Sequence, residues 1–125
     1  AEVYTPKESI VFLQENDTVA DLIQKSIETG FSRFPVCRTN IDDISGMVLV
    51  KDTLVITDKN STVKSIMRPI LRIDSNMKVD DVFRMMKAEK THLALLQTAD
   101  GKTKGLVSME DLIEEIFGEI ADEHE

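Results

Sequence analysis

The sequence predicts an α/β (α+β) fold of two similar strand–helix–strand–strand–helix units, and three observations predict it. Gly46-Met47-Val48-Leu49-Val50-Lys51-Asp52 returns 59 residues later as Gly105-Leu106-Val107-Ser108-Met109-Glu110-Asp111, and Phe34 to Cys37 returns at the same offset as Leu93 to Leu96. Val19, Leu22 and Ile23 return 60 residues on as Val79, Val82 and Phe83, and Ile10 to Leu13 returns as Ile70 to Ile73. Short apolar runs alternate with helical spacing in the same order in both copies. The change of offset places one lost residue between helix and strand of the second copy. A repeat of this length implies two supersecondary units that share a core. The repeats divide at 1–60, with its lead-in, and 61–125. Each half, at roughly 60 residues, buries too little surface to stand alone, so the two pseudo-symmetric repeats are expected to pack as one module. A cleft between them is the first place to seek function.

Residues 1–9 read as an extended lead-in, with Pro6 blocking a helix. Ile10 to Leu13 is a short strand. Thr18 offers an N-cap, and Asp21 three residues on completes a capping box. Val19, Leu22, Ile23 and Ile27 follow at helical spacing, and Gly30 is a C′ stop. Phe34 to Cys37 is a strand in which Pro35 favours an edge position. Thr39 to Asp43 is a polar turn, Ile44 to Val50 a strand apolar on both faces, and Lys51 onward a short helix ending near Thr57 to Asn60. Asp58 to Ser61 links the copies. Thr62 to Met67 makes one helical turn, stopped by Pro69. Leu71 to Ile73 is a strand, and Val79, Val82, Phe83 and Met86 mark a helix. His92 to Gln97 and Thr103 to Val107 are strands joined by a tight turn at Asp100-Gly101. The last helix starts at Ser108 and carries Leu112, Ile113, Ile116, Phe117 and Ile120 on one stripe.

Composition narrows the function classes. The net charge is −8, and no Lys/Arg cluster exists to neutralise phosphates along a strand, so nucleic acid is not the expected partner. No run approaches the roughly 20 apolar residues of a membrane span. The abrupt opening on Tyr4-Thr5-Pro6 suggests a piece of a longer protein. Cys37 is the single cysteine and sits in an apolar run, where it packs as a small hydrophobe. There is no P-loop and no Gly-x-Ser-x-Gly string, and two histidines with one cysteine do not make the usual zinc site. The chain is not expected to be an enzyme or to hold a protein-bound metal.

The doubled order, with Tyr4-Thr5-Pro6, Phe31-Ser32-Arg33-Phe34-Pro35-Val36, Gly46 to Asp52, Ile66-Met67-Arg68-Pro69 and Gly105 to Ile120 followed by Asp122-Glu123, resembles a tandem cystathionine-β-synthase (CBS) domain pair. It is similar in particular to the pairs of the CorC/HlyC (haemolysin-like) and cyclin-M membrane proteins. The turn at Gln97 to Lys102 departs from the family's usual Asp-Glu-Tyr-Gly-Gly, and Tyr4 replaces its usual Met. The resemblance implies a regulatory module that binds AMP, ADP or ATP in the inter-repeat cleft, with magnesium accompanying ATP. It also implies a homodimer attached to the transmembrane domain of a magnesium- or cobalt-transport protein, on the cytoplasmic side of the membrane. The alternative is a structural dimerisation module with no functional nucleotide site.

The candidate nucleotide residues are Ser108, Asp111, Arg33, Thr5, Phe31 and Ser32. Ser108 stands where a strand becomes a helix and can bond a sugar or phosphate oxygen, while Asp111 one turn on can accept from ribose hydroxyls near the helix N-terminus. Ser-x-x-Asp is also a capping box serving the helix alone. Leu49 occupies the Ser108 position in the first copy while Asp52 matches Asp111, so one competent site is expected rather than two. Arg33 suits phosphate through its planar fork, or else pairs with a surface carboxylate; its counterpart by the 59-residue offset is His92. Thr5 flanks the same region, and Phe31 can stack on adenine or pack as an ordinary rim aromatic. The acidic last helix, with Glu115, Glu119 and Asp122, is either a solvated face or a magnesium-binding one. A chain this acidic repels a bare polyphosphate, so ATP is expected to need magnesium more than AMP does.

Overall fold

The computed structural model describes residues 3–123. Its strands are β1 (Thr5–Pro6), β2 (Leu13–Gln14), β3 (Arg33–Cys37), β4 (Ile44–Leu49), β5 (Leu71–Asp74), β6 (Leu93–Gln97) and β7 (Thr103–Ser108). Its α-helices are α1 (Val19–Thr29), α2 (Val79–Ala88) and α3 (Met109–Glu123), and 3-10 turns occupy Lys7–Ser9, Val50–Val55 and Val63–Ile66. The first two residues of the lead-in expected over 1–9, Ala1 and Glu2, lie outside the described residues, as does the end of the second repeat at Glu125.

The chain forms two compact units. One runs from Val11 to Ile70; the other joins the lead-in up to Ile10 with the chain from Leu71 onward. The sequence repeats and the spatial units therefore differ at their edges, because each lead-in closes the sheet of the other repeat. In the second unit the order is β1-β7-β6-β5, with β1 antiparallel to β7, β7 antiparallel to β6, and β6 parallel to β5. Its core includes Ile73, Val82, Met86, Ala94, Val107 and Leu112, with Tyr4 packed against it. In the first unit the order is β2-β3-β4, with β2 parallel and β4 antiparallel to β3. Its core is Leu13, Leu22, Phe34, Val36, Val48 and Val63.

Local signals hold where they depend on near neighbours. Thr18 Oγ1 accepts from Asp21 N–H and Asp21 Oδ2 accepts from Thr18 N–H, the reciprocal capping box. Gly30 closes α1 at φ 77°, a left-handed conformation that favours glycine. Gly101 does the same at φ 82° in the β6–β7 turn. Cys37 is fully buried.

Four expectations are corrected. The strand expected at Ile10 to Leu13 is Leu13–Gln14 only. The helix after Lys51 is a 3-10 turn, Val50–Val55. Pro35 lies in the middle strand, not at an edge. Val50 N–H bonds Ser32 C=O, and Met47, opposite Pro35, turns its own N–H and C=O to Arg68. Antiparallel ladders alternate, so Pro35's nitrogen faces away from β4. The two-residue β2 pairs only with Val36 and Cys37, so the ladder requires no donor at residue 35. Ile27, at the helical spacing of α1, is 72% exposed, and on α3 only Leu112 of the apolar stripe is buried, with Phe117 at 64% exposure.

The fourth correction is the repeat register. Val36 faces Gly46 and Leu96 faces Gly105, while Cys37 faces Ile44 and Gln97 faces Thr103. Ser32 C=O accepts from Val50 N–H, and His92 C=O accepts from Met109 N–H. The 60-residue offset therefore persists through β3 and β6, and the residue is lost in the hairpin that follows. Arg33 corresponds to Leu93, and His92 to Ser32.

Candidate functional site

The carboxylate of Asp111 and the short β1 strand meet inside one unit. Thr5 faces Leu106 and Pro6 faces Gly105. A Cβ on Gly105 would lie 2.3 Å from Tyr4 Cδ2 and 2.6 Å from Thr5 O, so only glycine lets the lead-in approach this closely. β7 ends at Ser108 and α3 begins at Met109. Ser108 Oγ accepts from Asp111 N–H at 3.1 Å, so the serine does cap the helix. That bond occupies one acceptor pair and leaves the hydroxyl proton available.

Beside this junction lies an open pocket of about 400 Å³ lined by Val3, Tyr4, Thr5, Asp111, Glu114 and Glu115. Of the candidates, Thr5 and Asp111 line it directly, and Ser108 is joined to it through Asp111. Val3, Tyr4 and Glu114 join them; the Tyr4-Thr5-Pro6 string is the sequence signal for the lead-in, since its neighbours go where Thr5 goes. Asp111 has no ion-pair partner among the described residues, and neither have Glu114 and Glu115. His92 Nδ1 lies 3.6 Å from Glu110 Oε1. Among the described residues no three His, Cys, Asp or Glu side chains stand together so as to hold a metal.

Phe31, Ser32 and Arg33 belong to the other unit, at the entry to β3. Phe31 is 52% exposed, with its ring 6.1 Å from that of Phe34. Its carbonyl accepts from Ser26 Oγ at 2.6 Å, which fixes the backbone but leaves half the ring free. Arg33 is half-buried and has no carboxylate within ion-pairing distance among the described residues.

That unit also contains the counterpart of the Asp111 site. Arg68 bridges Met47 as Thr5 faces Leu106, with backbone bonds of 2.8 and 2.7 Å in both directions. Met47 and Leu106 are equivalent, so Arg68 holds Thr5's place. Its guanidinium grips Asp52 in a bidentate pair, Nε to Oδ2 and Nη2 to Oδ1, both at 2.7 Å. This bond holds the Asp52 carboxyl below its usual range. Leu49 is buried in place of Ser108. One carboxylate is occupied by an internal cation; the other faces an open pocket.

The CBS-domain profile matches residues 1–56 and 63–118, nearly the whole chain and both repeats. The chain belongs to the CBS-domain family. As a CBS pair it is 35% identical over 130 residues to a UPF0053 protein of Mycobacterium tuberculosis, covering 99% of this chain and 30% of that protein. It is 28% identical over 127 residues to the magnesium and cobalt efflux protein CorC of Salmonella typhimurium, covering 99% of this chain and 44% of that protein. The CBS pair thus spans less than half the length of these curated relatives. Among solved structures it is similar to the CBS domain of a bacterial CNNM/CorC family Mg2+ transporter in complex with ATP. That likeness has TM-score 0.87 and 35% identity, and covers 93% of this chain and 84% of the other. A hemolysin-like protein containing a CBS domain from Oenococcus oeni is similar at TM-score 0.84 and 31% identity, covering 92% and 87%. No described helix is long and apolar enough to cross a membrane.

Proposed function

We propose that this CBS pair is a regulatory module that binds one adenosine nucleotide, AMP or ATP, with its ribose at Asp111 and Ser108 beside Thr5. The parent is a membrane protein of the magnesium- and cobalt-transport type, with the module on the cytoplasmic side. The observation that carries the reading is the pocket at β1 and the start of α3, which Asp111 lines with no cation paired to it among the described residues. The ATP-bound CBS structure that resembles this chain supports the ligand class. In the other unit, Arg33, with no carboxylate partner among the described residues, and the half-exposed Phe31 have the chemistry to take a phosphate and an adenine ring. Three carboxylates line the pocket, so a bare triphosphate is repelled, and ATP enters with magnesium on its phosphates rather than on the protein.

Calorimetric titration with AMP, and with ATP with and without magnesium, tests this. A nucleotide at 100 times its dissociation constant stabilises the fold by about 2.7 kcal/mol. Asp111→Ala abolishes that gain without touching the Ser108 cap. Ser108→Ala weakens binding and also costs about 1 kcal/mol of helix stability. Normal binding by Asp111→Ala sinks the site assignment. Equal affinity for ATP with and without magnesium sinks the electrostatic argument.

A homodimer is part of the same reading. Ile113, Phe117 and Ile120 are exposed on α3, and Ile27, Leu54 and Val55 are exposed in the other unit. Large apolar side chains in such groups mark association surfaces. The same faces support the second reading, a dimerisation scaffold with no ligand, which predicts dimers in solution and no nucleotide heat.

A further inference from the structure

We infer that Arg68 is a built-in occupant of the first repeat's counterpart site, its guanidinium gripping the carboxylate that a ribose would take and limiting the chain to one nucleotide. The inference rests on the nucleotide reading of Asp111 and deepens it. Three comparisons within the repeat carry it.

First, the two carboxylates are equivalent in sequence and placement. Asp52 and Asp111 stand at the same step after Gly46 and Gly105, and both glycines admit a lead-in segment at contact distances that any Cβ would block. Second, the lead-ins differ at one decisive residue. Thr5 is short and lines an open pocket with Asp111. Arg68, held by its backbone to Met47, reaches Asp52 with two bonds of 2.7 Å. The planar fork matches both carboxylate oxygens at once, the same two acceptors that a vicinal diol would need. Third, Leu49 supplies no hydroxyl, and it is buried. An arginine anchored at both its backbone and its fork is a competitor at very high effective concentration, so a nucleoside must displace it to bind.

Arg68 is thus a specificity-determining residue in the negative sense. It explains why a doubled fold carries one ligand, and it names the change that separates the two sites. Leu49→Ser with Arg68→Thr rebuilds the Ser108, Asp111 and Thr5 set on the first repeat.

The test is titration of the chain with AMP, with magnesium-ATP as a parallel arm. The wild type binds one nucleotide per chain, and Asp52→Asn binds it within about twofold of wild-type affinity. Asp111→Ala removes binding, and Leu49→Ser/Arg68→Thr in the Asp111→Ala background restores it, with saturable NMR shifts of the backbone amides from Val48 to Asp52 at millimolar AMP. Circular dichroism and the melting curve establish that this variant is folded. Two nucleotides per wild-type chain overturn the inference. So does loss of binding in Asp52→Asn, a result that does not depend on the rebuilt variant folding. A folded rebuilt variant that binds no AMP overturns it while leaving the Asp111 site intact. A wild type that binds no nucleotide at all removes the nucleotide reading itself, and this inference with it.

Discussion

Gly105→Ala perturbs the one place where β1 is pressed onto β7. The new methyl would meet Tyr4 Cδ2 at 2.3 Å and Thr5 O at 2.6 Å, well inside contact distance, and the second of these is backbone. Gly105 does not have a positive φ, so alanine fits the strand conformation and the penalty is steric. Overpacking of this kind costs about 1–3 kcal/mol. Reduced freedom of the unfolded chain returns about 0.4–1 kcal/mol, leaving a net cost of about 1–2 kcal/mol. For a chain of this size that lowers the melting temperature by roughly 4–8 °C. The lead-in must move, and Thr5 moves with it, so nucleotide affinity falls by about fivefold, the equivalent of one hydrogen bond. Gly46→Ala is the matched control. Its methyl would meet Arg68 O, which is backbone, at 2.6 Å and Met67 Cγ at 2.7 Å, and of the two only the methionine can swing aside. It destabilises no more than Gly105→Ala and leaves nucleotide affinity unchanged. Scanning calorimetry and titration of both variants read the two effects separately. If Gly105→Ala melts within about 1 °C of the wild type and binds normally, the close-approach argument is wrong.

Gly30→Ala lowers stability by about 1 kcal/mol through backbone strain alone, because φ is 77° and nothing lies within 4 Å of the added methyl; urea unfolding measures it. Cys37 is buried and its thiol is pushed up by burial, so a thiol reagent modifies it only after denaturant is added. Glu15 is held below the usual carboxylate range by Ser45, then Lys64 and Arg38, and Asp52 by Arg68. Both therefore contribute stability that is fully present above the unfolded carboxylate range, about pH 4, and is lost as pH falls through the lower folded values. Urea midpoints measured from pH 7 to pH 3 decline less steeply at the acid end in Glu15→Gln and Asp52→Asn.

What the sequence made legible depends on the range of the interaction. The Thr18–Asp21 box and the Gly30 and Gly101 turns involve residues within one turn of chain, and the residue types dictate the geometry. The register of β3 against β6 is ambiguous by one in the sequence, because a run of apolar residues slid by one position is still apolar. Only the partners fix it: Ser32 with Val50, His92 with Met109. The missing residue lies in the turn, 38–43 in one copy and 98–102 in the other. Periodicity likewise shows that α3 carries an apolar stripe but not what covers it, and Phe117 and Ile120 are exposed.

The site shows the same division, and it explains why half of the asymmetry was visible. Leu49 in place of Ser108 can be read from aligned strings, and it already argues for one site. Arg68 could not be read that way, since it lies 16 residues from Asp52 in the lead-in of the other repeat, where it corresponds to Thr5. The two meet only because the lead-ins are exchanged between repeats, so that 67–69 closes the sheet that contains β4 and residues 4–6 close the sheet that contains β7. Exchange makes each carboxylate depend on a segment outside its own copy. A duplicated unit can then diverge in ligand binding through its lead-in while strand, turn and helix stay alike. On the proposed reading Arg68 and Thr5 are the residues at which that divergence would be expressed, and substituting either changes one carboxylate's surroundings without altering the repeat that carries it.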